Sequence, residues 1–181
     1  MSDRQGKSGE PQAEALHEAL PNALEDRACA VLDAAHDREL TIATAESCTG
    51  GLLAALLTDV RGRGHVFDRG FVTYCDAAKA SMLGIDPDLI EDKGAVSREV
   101  ALEMAKGALA HSDAHISLSI TGFAGPGGPD DEEGLVHFAC AVRDDGEPAH
   151  REEHFGAIGR GGVRIAALEV ALAMVEDALR T

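Results

Sequence analysis

Ser47 stands in the run Thr44-Ala45-Glu46-Ser47-Cys48-Thr49-Gly50-Gly51. Leu40 to Ala45 before it is short, apolar and partly β-branched, and reads as a buried strand. Thr49 to Leu57 after it reads as a helix approached through two glycines. A serine between a strand end and a helix start is well sited for nucleophilic attack. The helix N-terminus offers N–H groups and the positive end of its dipole. Both can hold an oxyanion or a phosphate. Glu46, Thr49, Gly50 and Gly51 are therefore candidate ligand-binding residues, and the amides near Gly50 and Gly51 are one candidate oxyanion site. A plain N-cap serine beside permissive glycines has the same local features, and local sequence alone favours it. The run is not G-x-S-x-G, so an α/β-hydrolase elbow is not implied.

A serine nucleophile without a partner histidine needs another base. Lys79, in Gly70-Phe71-Val72-Thr73-Tyr74-Cys75-Asp76-Ala77-Ala78-Lys79, is the candidate. A desolvated lysine becomes a base as its pKa falls toward neutrality. Tyr74, the one tyrosine of the chain, can relay a proton or hold the lysine in place. A surface lysine and a half-buried tyrosine remain the plain alternative. A third segment, Thr121-Gly122-Phe123-Ala124-Gly125-Pro126-Gly127-Gly128, follows a strand and is dense in glycine. Its amides can form an anion nest, and Thr121 can turn a hydroxyl into the same crevice. Gly122, Gly125, Gly127 and Gly128 join the candidates, although such a loop alone is more simply a flexible surface turn. Ser97 reads first as a helix cap. Arg160 and Arg164 open the last helix, where the dipole does not favour cations, so a phosphate-binding role is open to either.

The elements that must position these residues alternate between strand and helix. Helical spacing starts near Pro21-Asn22, with Leu24, Ala28, Val31, Leu32 and Ala35 on one face. Phe71 to Cys75 reads as a strand, and Asp76 caps a helix running to Leu83 that Gly84 closes. Asp86-Pro87 reads as a turn, Ala114 to Ile120 as a strand, and Leu135 to Val142 as another. Asp144-Asp145-Gly146 signals a hairpin that returns along His150 to Phe155. Gly161 to Leu179 reads as the final helix. This pattern predicts a single α/β domain, a three-layer α/β/α sandwich with a mixed sheet, over residues 14–181. Residues 1–13 are expected to be a disordered polar tail.

The chain has 181 residues and a net charge of −16, which opposes direct contact with nucleic acid or an anionic membrane. With no long apolar run and no signal core, a cytoplasmic protein is expected. Cys29, Cys48, Cys75 and Cys140 have no metal-ligand or disulfide spacing, and each is expected as a small buried hydrophobe. The histidines show no H-E-x-x-H pattern, so no metal site is expected.

The motifs in order, Ala-Glu-Ser-Cys-Thr-Gly-Gly from Ala45, Tyr-x-x-x-x-Lys from Tyr74, Gly-Ala-Val-Ser from Gly94 and Thr-Gly-x-Ala-Gly-Pro-Gly-Gly from Thr121, resemble the CinA C-terminal domain family. The resemblance runs from about Asp26 to Leu179. It implies hydrolysis of the carboxamide of nicotinamide mononucleotide to nicotinate mononucleotide and ammonia. It implies Ser47 as nucleophile, Lys79 as general base and Tyr74 as the assisting residue between them. The Thr121 to Gly128 loop would be a pocket wall. No cofactor is implied, the partner is a small mononucleotide, and a homo-oligomer is expected. The family's usual Phe-x-Gly-Asp-Arg stretch is replaced here by Phe155-Gly156-Ala157-Ile158-Gly159-Arg160, which lacks the aspartate. A nucleotide-binding protein without turnover and an interaction protein linked to competence or DNA damage are the alternatives.

Overall fold

In a computed structural model, residues 20–129 and 131–180 are described. The segment 1–13 and Asp130 lie outside them. Strand β1 (Ile42–Glu46) is buried at every position, as a strand covered on both faces requires. It pairs in parallel with β2 (Phe67–Val72) on one side and β3 (Ile116–Gly122) on the other. β4 (Leu135–Val142) and β5 (Ala149–His154) extend the sheet antiparallel, giving the order β2-β1-β3-β4-β5.

The alternation of side chains along β3 sorts the two faces. Ile116, Leu118 and Ile120 join the apolar core beneath α1 (Asn22–Asp37), α2 (Leu52–Thr58) and α6 (Gly159–Ala178). Ser117 and Ser119 point the other way and donate to Ala105 O at 2.7 Å and Ala101 O at 2.6 Å on α5 (Arg98–Ala110). Alanines 101, 105, 139 and 141 complete that contact, so α5 lies close on the sheet. α3 (Asp76–Leu83) and α4 (Pro87–Lys93) pack against α5. Gly107 permits this: a Cβ there would fall 2.3 Å from Leu83 O. The result is the three-layer α/β/α domain with a mixed five-stranded sheet that the sequence predicts. Among the described residues no helix is long and apolar enough to cross a membrane.

Three elements differ from their sequence reading. Helix α2 starts at Leu52 rather than Thr49, because Gly50 and Gly51 both take the left-handed conformation ahead of it. The second strand lies at Phe67–Val72 rather than Phe71 to Cys75. It is an edge strand, so it tolerates the polar Asp68-Arg69-Gly70, whose charged pair closes at 2.6 Å. Thr73 to Cys75 is thereby released as the link into α3. The Asp86-Pro87 turn opens a seven-residue helix: Asp86 accepts from Asp88 N at 3.0 Å, and Pro87 fills the first helical position. Cysteine burial is also split. Cys48 and Cys140 are buried as expected, while Cys29 and Cys75 are exposed because they sit on the solvent side of α1 and at the start of α3.

His137 on β4 and His150 on β5 form a stacked pair, with Nδ1 and Nε2 3.2 Å apart. Burial lowers the pKa of both, and their mutual repulsion and Arg98 lower His150 further, against Glu152 and Glu99. The unfolded chain thus binds protons here more readily than the folded one, and stability present above about pH 6.5 is lost as the pH falls below it. His154 shifts upward beside Glu132 and Glu152, but it is exposed and solvent screens its effect. The thermal midpoint is expected to drop between pH 7 and pH 5, with a shallower drop in His150→Gln. An identical slope in that variant would contradict this assignment.

Candidate active site

Ser47 lies one step beyond β1. Its amide donates to Ile120 O at 2.9 Å, and Thr73 N donates to Glu46 O at 2.8 Å. The serine therefore sits at the carboxyl edge of the three parallel strands, where ligands of open α/β sheets gather. The chain then turns through Gly50 and Gly51, at φ of 66° and 94°, a region costly for other residues.

The β2-to-α3 link brings Lys79 to the serine. Lys79 is 1% exposed, among the most buried large side chains of the protein. Its Nζ lies 3.4 Å from Ser47 Oγ and donates to Thr73 O at 3.1 Å. Asp76 Oδ1 is 4.0 Å away. Burial lowers the Lys79 pKa, and Asp76 pulls it back in part. Desolvation therefore favours a neutral amine that can accept the serine proton. Cys48, next to Ser47, is pushed up to about 11 by burial and stays a thiol at neutral pH. Of the two adjacent candidate nucleophiles, only the serine has a base against it.

A cavity of about 250 Å³ opens over this pair. Ala95 and Val96 form one wall, and Phe123 to Gly127 with Arg160 form another. Thr121 also lines it, but its hydroxyl donates to Ala95 O at 2.7 Å and thereby fixes the Gly94-Ala95-Val96-Ser97 wall. Gly122 and Gly125 line the cavity, and Gly125 leaves room for the Arg160 guanidinium, 3.1 Å from where a Cβ would stand. A second cavity of about 270 Å³, between β5 and the end of α6, brings no serine to a base.

Several sequence expectations change at this level. Glu46 does not face the cavity. It is fully buried, and its carboxylate accepts from Gly51 N at 3.0 Å, Leu53 N at 3.1 Å and Ala54 N at 2.8 Å. Those amides open α2, so they are not available to an oxyanion or phosphate. Gly50 N is also taken, by Ser47 O at 3.1 Å. Thr49 is buried beneath the loop at 2% exposure and does not line the cavity. Gly128 N donates to Asp131 at 2.6 Å, which turns it away from a ligand. Arg164 braces the serine loop instead of lining the cavity, donating to Cys48 O at 2.8 Å. Tyr74 is 63% exposed on the rim and makes no hydrogen bond to Ser47 or Lys79 among the described residues. Lys79 reaches the serine directly, so no relay is needed between them.

Amides without an acceptor among the described residues remain at Cys48 and Thr49, and at Ala124, Gly125 and Gly127 in the glycine loop. The Thr73 carbonyl was absent from the candidate site, and Asp76 was read only as the cap of α3, whereas Cys75 holds the cap position and Asp76 is the first helical residue. A main-chain carbonyl carries no sequence signal. Asp76 did carry one: it precedes Lys79 by one helical turn on the same face.

The fold and cleft define a single-domain α/β protein with a cavity at the carboxyl edge of the parallel strands of a mixed sheet. The chain belongs to the CinA C-terminal domain family, whose model matches residues 24–179. It is 43% identical to the competence/damage inducible protein CihA of Agrobacterium tumefaciens, with a TM-score of 0.84 over 90% of this chain and 98% of that one. It is 36% identical to a competence-damaged protein (CinA) superfamily protein of Escherichia coli, with a TM-score of 0.80 over 86% of this chain and 90% of that one. A CinA-like protein of Chlorobium phaeobacteroides is 47% identical over 146 residues, 78% of this chain and 35% of the relative. The chain thus spans about a third of the length of such curated relatives.

Proposed function

We propose that the protein hydrolyses the carboxamide of nicotinamide mononucleotide, using Ser47 as nucleophile and Lys79 as base. The observation that carries this reading is the buried Lys79 Nζ set 3.4 Å from Ser47 Oγ. The family resemblance supports the choice of substrate. In the first step Ser47 Oγ bonds to the carboxamide carbon as its proton passes to Lys79 Nζ. The Cys48 amide, on the cavity wall, is the donor nearest in sequence for the oxyanion. The C–N bond then breaks, and the lysine ammonium protonates the departing nitrogen to give ammonia. Lys79, neutral again, takes a proton from water as that water attacks the acyl ester. Nicotinate mononucleotide leaves and Ser47 regains its proton. Thr73 O keeps the lysine aimed throughout, and Tyr74 lines the rim. No cofactor enters these steps.

The test is ammonia release from nicotinamide mononucleotide. Wild type is expected to release it and Ser47→Ala to lose at least about 10⁴-fold in kcat. Full activity in Ser47→Ala would overturn the reading. Arg160 and the free amides of Gly125 and Gly127 are assigned to the phosphate. Arg160→Ala is therefore expected to raise KM for the mononucleotide about tenfold to a hundredfold, roughly 1.4 to 2.8 kcal/mol, with kcat little changed. The corresponding riboside, which has no phosphate, should be hydrolysed equally by both forms. A loss confined to kcat, or an equal loss with the riboside, would remove Arg160 from that role.

A further inference from the structure

We propose that Asp76 is a specificity-determining residue that selects a carboxamide carried on a cationic ring; this rests on the amidase reading above. Among the described residues Asp76 is the one carboxylate lining the catalytic cavity. It stands at the reacting end, 4.0 Å from Lys79 Nζ, with its side chain 65% exposed. The other full cation on the wall, Arg160, lies against the glycine loop at Gly125.

Asp76 is the first residue of α3, where the helix dipole favours an acid, and that alone would explain a carboxylate here. Its oxygens, however, accept no amide of the helix, and their one ion pair is the long 4.0 Å contact to Lys79. The N-cap position makes no side-chain capping bond, and no amide donates to Asp76 among the described residues. The long contact to Lys79 also compensates it poorly, because burial draws that amine toward neutrality.

A weakly compensated carboxylate on the same cavity wall as the serine has a chemical consequence. Negative charge builds on the substrate oxygen during attack, and a nearby anion opposes that build-up. A substrate whose amide-bearing ring is positive reverses the sign, because it brings its own counter-charge to the carboxylate. The cavity is then matched to a dipolar ligand, with a cationic ring held toward Asp76 and an anionic group held toward Arg160. A neutral aromatic amide gains nothing from Asp76. At separations of a few ångström in a partly wet site, the difference corresponds to about tenfold in affinity.

The test uses two small probes that lack ribose and phosphate, so it does not depend on the mononucleotide itself. Isotope-labelled wild type and Asp76→Asn are titrated by NMR with the 1-methylnicotinamide cation and with neutral nicotinamide. Wild type is expected to bind the cation about tenfold more tightly, and Asp76→Asn to bind both alike, with nicotinamide affinity unchanged. The same spectra report whether the variant is folded. Equal affinity for the two probes in wild type, no binding of either, or a preference that survives in Asp76→Asn would each overturn the proposal. Failure of the mononucleotide reading is seen separately, as absence of ammonia release by wild type.

Discussion

Lys79→Met is expected to lower kcat about 10³-fold while leaving the protein at least as stable as wild type. The two effects have one cause. Lys79 is 1% exposed, and burial lowers its pKa. Below the free-lysine value of about 10.5 the unfolded chain therefore binds a proton that the folded chain holds less readily. That linkage makes stability rise with pH, and at neutral pH the lysine costs stability. Methionine fills similar volume with no charge to desolvate, so thermal stability should hold or improve. Catalysis fails because Ser47 loses the group that takes its proton. In wild type, kcat/KM should climb with pH through the lowered Lys79 pKa, since only the neutral amine can act. An active Lys79→Met, or activity that rises as the pH falls, would contradict the base assignment.

Glu46→Gln is expected to destabilise the protein by about 3 kcal/mol, a fall in thermal midpoint on the order of 10 °C, and to cut kcat at least about tenfold. The carboxylate accepts three amides through two oxygens. A glutamine keeps one acceptor and turns an NH₂ donor toward at least one of those amides, leaving buried donors face to face. The loop that carries Ser47 is tied to the same amides, so its geometry loosens with the helix start. Glu46→Asp keeps the charge but is shorter, and should fall between Gln and wild type in both measurements. Melting curves and kcat for the three proteins settle the order. A Glu46→Gln protein with wild-type stability would show that the carboxylate is dispensable to α2.

The pairing of Ser47 with Lys79 was legible because each residue follows a strand and precedes or enters a helix. Parallel strands deliver such positions to one edge of a sheet. The hydrophobic alternation in β3 and the exact span of β4 made the layered fold equally readable. The role of Glu46 was not legible. The motif places it beside the serine, and nothing in a linear pattern says whether a carboxylate turns toward a ligand or down onto the amides of its own helix. The direction of two other side chains was hidden for the same reason: Arg164 turns to the Cys48 carbonyl, and Thr121, although it lines the cavity, turns its hydroxyl to the Ala95 carbonyl. Strand β2 was misplaced because its polar start breaks the apolar run, which an edge strand does not need.

The most direct test of Ser47 as nucleophile is to capture the acyl-enzyme. Wild type is acid-quenched during turnover of nicotinamide mononucleotide, digested, and mapped by mass spectrometry. A nicotinate mononucleotide ester is expected on the peptide containing Ser47, located at Ser47, and absent in Ser47→Ala. Turnover with no ester at any quench time, or an adduct on Cys48, would contradict Ser47 as nucleophile.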